Sequence, residues 1–192
     1  VCRLFDHSLF VSPDEAELFR KRQPVTEQTK VHGLLNGVDV EFFNPKLQFN
    51  QESLPDSPYI AFTGAMDYWA NIDAVVWFVE QVWPLIQAQD SHVQFYIVGG
   101  NPSNEVKALG QRDNIVVTGR VHDIRPYIAN AACVVAPLRI ARGIQNKVLE
   151  AMALDKAIVC TSMAMEGINA EPSATVKISD QPQDYAQNCL KL

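Results

Sequence analysis

Residues 136–167 read APLRIARGIQNKVLEAMALDKAIVCTSMAMEG, and the order of patterns in this stretch decides the fold. It starts at the end of an apolar run, CVVAPL (133–138), crosses a loop with two arginines and one glycine, and becomes an amphipathic helical pattern. It closes on a second apolar run, AIVCTS (157–162). Two strands joined by a helix lie parallel, because a crossover brings the second strand back in the direction of the first. Neither run alternates apolar with polar residues, so both faces of the sheet must be covered.

The same alternation extends in both directions. YIAFTG (59–64), VQFYIVGG (93–100), NIVVTG (114–119) and TVKIS (175–179) are further β-rich runs, each closed by a turn or cap residue, so six strands are predicted. The first helix carries Ile72, Val75, Val76, Val79, Val82 and Trp83 at spacings of three and four. Further helices are predicted over residues 104–109, 123–131, 144–154 and 183–190. The predicted architecture is α/β, a Rossmann-like, doubly wound parallel sheet over residues 59–192, whose ligands bind beyond the carboxyl ends of the strands.

Before this domain, HSLFVSPDEAELFRKR (7–22) reads as a strand running into a helix, with Ser12 as N-cap, Pro13 in the first turn and Glu15 three after the cap. Residues 23–58 are read as an irregular linker, with a turn at Asn36 and Gly37 and three prolines in NPKLQFNQESLPDSP (44–58). The chain begins at Val1 without an initiating Met or a signal segment, which suggests a piece of a longer protein.

Composition narrows the function. A hydrophobic share of 47% with 20% charged residues suits one soluble domain in 192 residues, and a net charge of -6 offers no basic field to a nucleic acid. The longest apolar run, residues 74–79, is far short of a membrane span. Cys2, Cys133, Cys160 and Cys189 are widely separated, so they read as free thiols in a reducing cytoplasm. His7, His32, His92 and His122 share no spacing that would suggest a metal site or a triad, and no cofactor motif is present. Trp69, Trp77 and Trp83 read as core residues.

The chemistry concentrates where the helix of the opening stretch begins. Backbone N–H groups there favour an anion, and Arg139, Arg142 and Lys147 add positive charge, while Gly143 permits close backbone approach. Glu150 follows Lys147 by three residues on one helix face. A lysine neutralises phosphate oxygens and a carboxylate accepts from the vicinal hydroxyls of a ribose, which suggests recognition of a nucleoside diphosphate. An ordinary surface ion pair is the alternative reading of Lys147 and Glu150.

Five motifs in order, LLNGVDVEFFNP (34–45), IAFTGAMDYWANIDAV (60–75), FYIVGGNP (95–102), VVTGRVHDIRPYIANA (116–131) and APLRIARGIQNKVLEAMA (136–153), resemble the C-terminal half of GT-B glycosyltransferases. The resemblance runs from about Leu9 to Gly167, is closest to the family-four-like group, and is strongest to sugar transferases of bacterial exopolysaccharide clusters. It implies two Rossmann-like domains facing across a cleft, the C-terminal one holding a nucleotide sugar. Residues 1–22 would then be a remnant of the N-terminal acceptor domain and 23–58 the interdomain linker. The missing half would be the chain's partner and its route to any membrane contact at the cytoplasmic face.

The resemblance also implies roles. Glu150 matches the second glutamate of the family's paired-glutamate pattern and would hold the donor ribose. The first glutamate is replaced by Arg142, and no cation follows Gly64, where the family's diphosphate-gripping residues usually stand. Arg139, Arg142 and Lys147 are therefore expected to take over the diphosphate, Arg142 and Lys147 as the catalytic cations. Gly64, Asp67, Gly99, Val121, Gly143 and Ile144 complete the expected donor site, with Asn71 read as reaching the sugar or capping the following helix. The implied activity is retaining transfer from a nucleoside-diphosphate sugar to a glycan or lipid-linked acceptor, with no metal and no further cofactor. The rival readings are a nucleotide-sugar epimerase of the same architecture and a non-catalytic flavodoxin-like binding module.

Overall fold

The computed structural model describes residues 2–51, 54–141, 143–170 and 172–192. The chain opens with a 3₁₀ turn, Cys2–Leu4, then β1 (Ser8–Phe10) and α1 (Pro13–Arg20). Ser12 caps α1 as its sequence suggests, its hydroxyl accepting from the Glu15 amide at 3.1 Å. The following stretch is less irregular than its composition implies. It contains a single-turn helix, α2 (Val25–Gln28), and a strand, β2 (Val31–Gly33), that pairs parallel with β1. Elements of four and three residues carry too little periodicity to be read in advance. At Gly33 a side chain would collide with α1, since a Cβ there would lie 2.8 Å from the Pro13 Cα.

The chain then crosses toward the second unit without regular secondary structure. Asp39 ties a turn by accepting from the Glu41 and Phe42 amides. Phe42 docks on the Arg125 guanidinium, whose carbon stands 3.8 Å from the ring centroid and which also donates to the Phe42 carbonyl at 3.1 Å. Asp123 holds the other edge of that guanidinium.

The second unit alternates strands and helices as predicted. β3 (Tyr59–Thr63) leads through α3 (Trp69–Trp77), a π-helical turn (Phe78–Val82) and α4 (Trp83–Gln87) to β4 (Gln94–Val98). α5 (Asn104–Leu109), β5 (Ile115–Gly119), α6 (Arg125–Ala129), β6 (Cys133–Ala136), α7 (Asn146–Ala153), β7 (Ile158–Cys160), a 3₁₀ turn (Met163–Met165), β8 (Val176–Ile178) and α8 (Pro182–Lys191) follow. The six strands form one parallel sheet in the order β5-β4-β3-β6-β7-β8. That is the doubly wound arrangement, with the reversal of winding between β3 and β6. β3 pairs with β4 along all five residues but with β6 only at Ile60 and Ala61. The two central strands thus lose their pairing toward their carboxyl ends, and the functional cleft opens there.

Side chains of the central strands alternate between two apolar clusters. Ile60, Phe62, Phe95 and Ile97 join Val75, Phe78, Val79, Val82 and Trp83 in the larger one, whereas Tyr59, Ala61, Tyr96 and Val98 meet Tyr127 of α6. Pro84 explains the π turn: it has no N–H to give to the carbonyl four residues back, and just before it the Trp83 N–H reaches the Phe78 carbonyl, five back. All four cysteines are buried and free, and burial raises the Cys160 thiol to about 12.

α8 closes the core. Tyr185 is fully buried, packs edge-on against Trp77 and Phe78, and donates to the Val159 carbonyl at 2.5 Å. Tyr185→Ala is expected to lower the unfolding free energy by about 3–5 kcal/mol, and Tyr185→Phe, which removes only the hydrogen bond, by about 1–2 kcal/mol. Urea denaturation followed by circular dichroism measures both. Equal losses would show that the hydroxyl, not the ring, secures the helix.

Candidate functional site

The cleft sits at the carboxyl ends of β3 and β4, beside the switch point of the sheet. It has a volume of about 530 Å³ and is walled by the ends of β3 and β4, the loop after each, and the start of α7. Two glycines bring the walls together. A Cβ on Gly99 would lie 1.7 Å from the Gly64 carbonyl oxygen, so only glycine lets the β3 and β4 ends approach this closely. A Cβ on Gly64 would come 2.7 Å from the Asn71 amide nitrogen and 3.2 Å from the Lys147 Nζ. The first turn of α7 has no side-chain cap, which leaves its N–H groups beside Gln145 and Asn146 on the cleft wall.

Lys147 is the chemical centre of this cleft. It is 9% exposed, although α7 places it only one residue inside the helix start. Its ammonium donates to the Asn71 side-chain oxygen at 2.5 Å and stands 4.2 Å from the Phe62 ring centroid. Burial lowers its pKa to about 7, with Glu150 pulling the other way. Glu150, one turn along the same face, is half-buried, and burial raises its carboxyl above the ordinary range against the opposing pull of Lys147. A ligand with an anionic centre and a pair of hydroxyls matches this sequence of groups: N–H donors, an ammonium, then a carboxylate.

Of the residues expected at the site, the cleft gathers Gly64, Gly99, Ile144, Lys147 and Glu150. Four others lie elsewhere. Arg139 grips Asp73 of α3 through one edge of its guanidinium, Nε donating to one carboxylate oxygen at 3.1 Å and Nη2 to the other, so its charge is already matched outside the cleft wall. Gly143 has a positive φ of 66° and lies against the N-terminal unit, where a Cβ would meet Val11 at 2.8 Å. Asp67 is exposed and accepts from the Asn101 amide at 3.1 Å. Val121 lines a neighbouring pocket formed by residues 47–50 and the β5–α6 loop. Arg142 falls outside the described residues.

Three features escaped the sequence. Asn71 does not cap α3, which starts after Tyr68. It sits inside the helix, buried, and bridges to Lys147. Trp69 is 54% exposed beside the cleft residue Tyr68, so it is not a core residue as its neighbours Phe78 and Trp83 are. Arg120, which follows the terminal glycine of β5, supplies an exposed cation shared by the cleft and the neighbouring pocket. Its position in GRV, just after a strand-ending glycine, is the sequence signal for it. Among the described residues, no group of three or more His, Cys, Asp or Glu side chains could hold a metal ion, and no helix is long and apolar enough to cross a membrane.

Residues 57–192 match the family described as Glycosyl transferases group 1. No curated protein matches the chain. Among solved structures, a glycosyltransferase from Rickettsia africae ESF-5 is similar with a TM-score of 0.71 and 16% identity, over 96% of this chain and 53% of that one. A variant of S. aureus TarM, solved with fondaparinux, α-GlcNAc-glycerol and UDP, is similar at a TM-score of 0.75 and 14% identity, over 100% of this chain and 37% of that one. Anabaena HepE in complex with UDP and glucose gives a TM-score of 0.70 and 12% identity, over 96% and 52%. The fold is therefore that of these GT-B enzymes, and the chain spans between 37% and 53% of their length.

The lowered pKa of Lys147 links stability to pH. The unfolded chain holds its lysine proton up to about pH 10.4, while the folded chain releases it near 7, so above pH 7 the unfolded state binds more protons and stability rises with pH. From pH 7 to 8 the contribution of Lys147 alone is expected to be roughly 1 kcal/mol, read as the wild-type change minus that of a variant without the lysine, because unfolded thiols also begin to ionise in this range. Urea titrations at the two pH values read it, and Lys147→Met is expected to abolish the rise. A rise that persists in the variant would place its origin in another group.

Proposed function

Because the chain belongs to the glycosyl transferases of group 1, we propose that its cleft receives the nucleoside diphosphate of a sugar donor. The observation that carries this reading is the buried Lys147 ammonium, set between the uncapped start of α7 and the glycine-bound ends of β3 and β4. A diphosphate there meets N–H groups, Nζ of Lys147 and the guanidinium of Arg120 at the rim. Glu150 then faces the ribose, its carboxylate accepting from the two vicinal hydroxyls. UDP in the similar structures of TarM and HepE supports the assignment of the ligand class.

The reaction proposed is transfer of a sugar to a hydroxyl of a glycan or lipid-linked acceptor in polysaccharide synthesis, with retention at the anomeric carbon. The bond from that carbon to the diphosphate oxygen breaks, and the bonding pair leaves with the diphosphate. Negative charge grows on the leaving group, so donors fixed in advance stabilise the transition state more than the bound ground state. Lys147 and the first amides of α7 are the groups placed to do this. Arg139, held by Asp73, is left out of the diphosphate site. The acceptor and the base that deprotonates it belong to a second, N-terminal half facing this cleft.

Calorimetric titration of the folded chain with UDP, GDP and ADP is the test. One of the three is expected to bind saturably, and Glu150→Ala to weaken it by about 10- to 100-fold through loss of charge-assisted hydrogen bonds. Failure of all three to bind would overturn the reading.

A further inference from the structure

Asparagine is a poor choice inside a helix, where its side chain competes for backbone groups. Yet Asn71 lies in the second half-turn of α3 and is only 7% exposed. Its two ends are both committed. Nδ2 donates to the Ala65 carbonyl at 2.9 Å, and Oδ1 accepts from the Lys147 Nζ at 2.5 Å. The orientation of the carboxamide is forced from both sides, because an ammonium can only donate and a carbonyl can only accept. One side chain therefore joins the loop after β3, the start of α3 and the start of α7. It does so where β3 and β6 have ceased to pair. The absence of a side chain at Gly64 is what leaves room for the arrangement.

We propose that Asn71 is a positioning residue for the donor site: it presents the Lys147 ammonium to the diphosphate and fixes the β3 loop against which that diphosphate lies. This rests on the donor reading above and deepens it. The groups facing the amine are Asn71 from α3, Phe62 from β3 and Gly64 just after it, and Glu150 from α7, with Tyr68 and Arg120 on the cleft rim. Among the described residues, Glu150 is the anionic group acting on it, from one turn away. The oxygen of Asn71 is thus the hydrogen-bond acceptor in contact that favours the protonated amine, beside the Phe62 ring face, in a site where burial favours the neutral one.

Two measurements on the same proteins test this. The first follows the ¹³Cε shift of Lys147 against pH without any ligand, in the wild type, Asn71→Asp and Asn71→Leu. The lysine is expected to titrate near pH 7 in the wild type, at least about one unit higher beside the aspartate, and lower beside the leucine. The second is calorimetry with UDP from pH 7 to 8.5. Wild-type affinity is expected to fall about 15-fold over this range, and that of Asn71→Asp by no more than about fourfold. An unchanged lysine titration in both variants overturns the positioning role. If the titrations move as stated but UDP does not bind the wild type, the donor reading fails, and with it the role of Asn71 toward a diphosphate.

Discussion

The parting of β3 from β6 is the constraint on which the rest of the molecule depends. Both strands run in the same direction at the centre of the sheet, but their connections wind to opposite sides, so backbone pairing that holds at Ile60 and Ala61 is not continued toward Thr63. Edges left unpaired in the middle of a core must find other partners. Lys147, Asn71 and the Phe62 ring gather beside the carboxyl end of β3, and the loops after β3 and β4 form walls of the cleft. A charged group is tolerated at such depth only because it has an oxygen to donate to, an aromatic face beside it and a carboxylate one turn away.

The sheet itself was legible in the sequence because each of its strands is a short, nearly unbroken apolar run, which is what burial on both faces selects. Helices with a clear three- and four-residue spacing were legible too, with ends displaced by a residue or two. What escaped had no local cause. The pairing of Arg139 with Asp73 spans 66 positions, and nothing in APLRIARG announces a carboxylate on α3. Asn71 was read as a cap because a polar residue near a helix start commonly is one. Its partner lies 76 residues on. The spacing of Lys147 and Glu150 showed a shared face but not that this face turns inward, beside Val148 and Ala151.

The N-terminal unit and the segment after it are tied to the second unit by specific polar contacts and by Phe43 and Phe49, which pack against its core. Phe42 lies on Arg125, Gln51 donates to Asn130 at 2.8 Å, and Asn36 donates to Asn146 at 3.4 Å. The last of these reaches the first residue of α7, beside the cleft. Gly143 receives Val11 and Glu15 from the other direction. The start of α7 thus has neighbours from both ends of the chain's first fifty residues, although it is formed by a loop nearly a hundred residues later.

Three of the four buried thiols, those in and over the central sheet, have a kinetic meaning. Cys133 and Cys160 lie on adjacent central strands and Cys189 on the helix that closes over them, all without measurable contact with solvent beyond 7%. A reagent that alkylates thiolates meets no exposed sulfur here while the sheet is closed. Their rate of modification is therefore a clock for the opening of the central sheet, separate from the faster motions of the loops around the cleft.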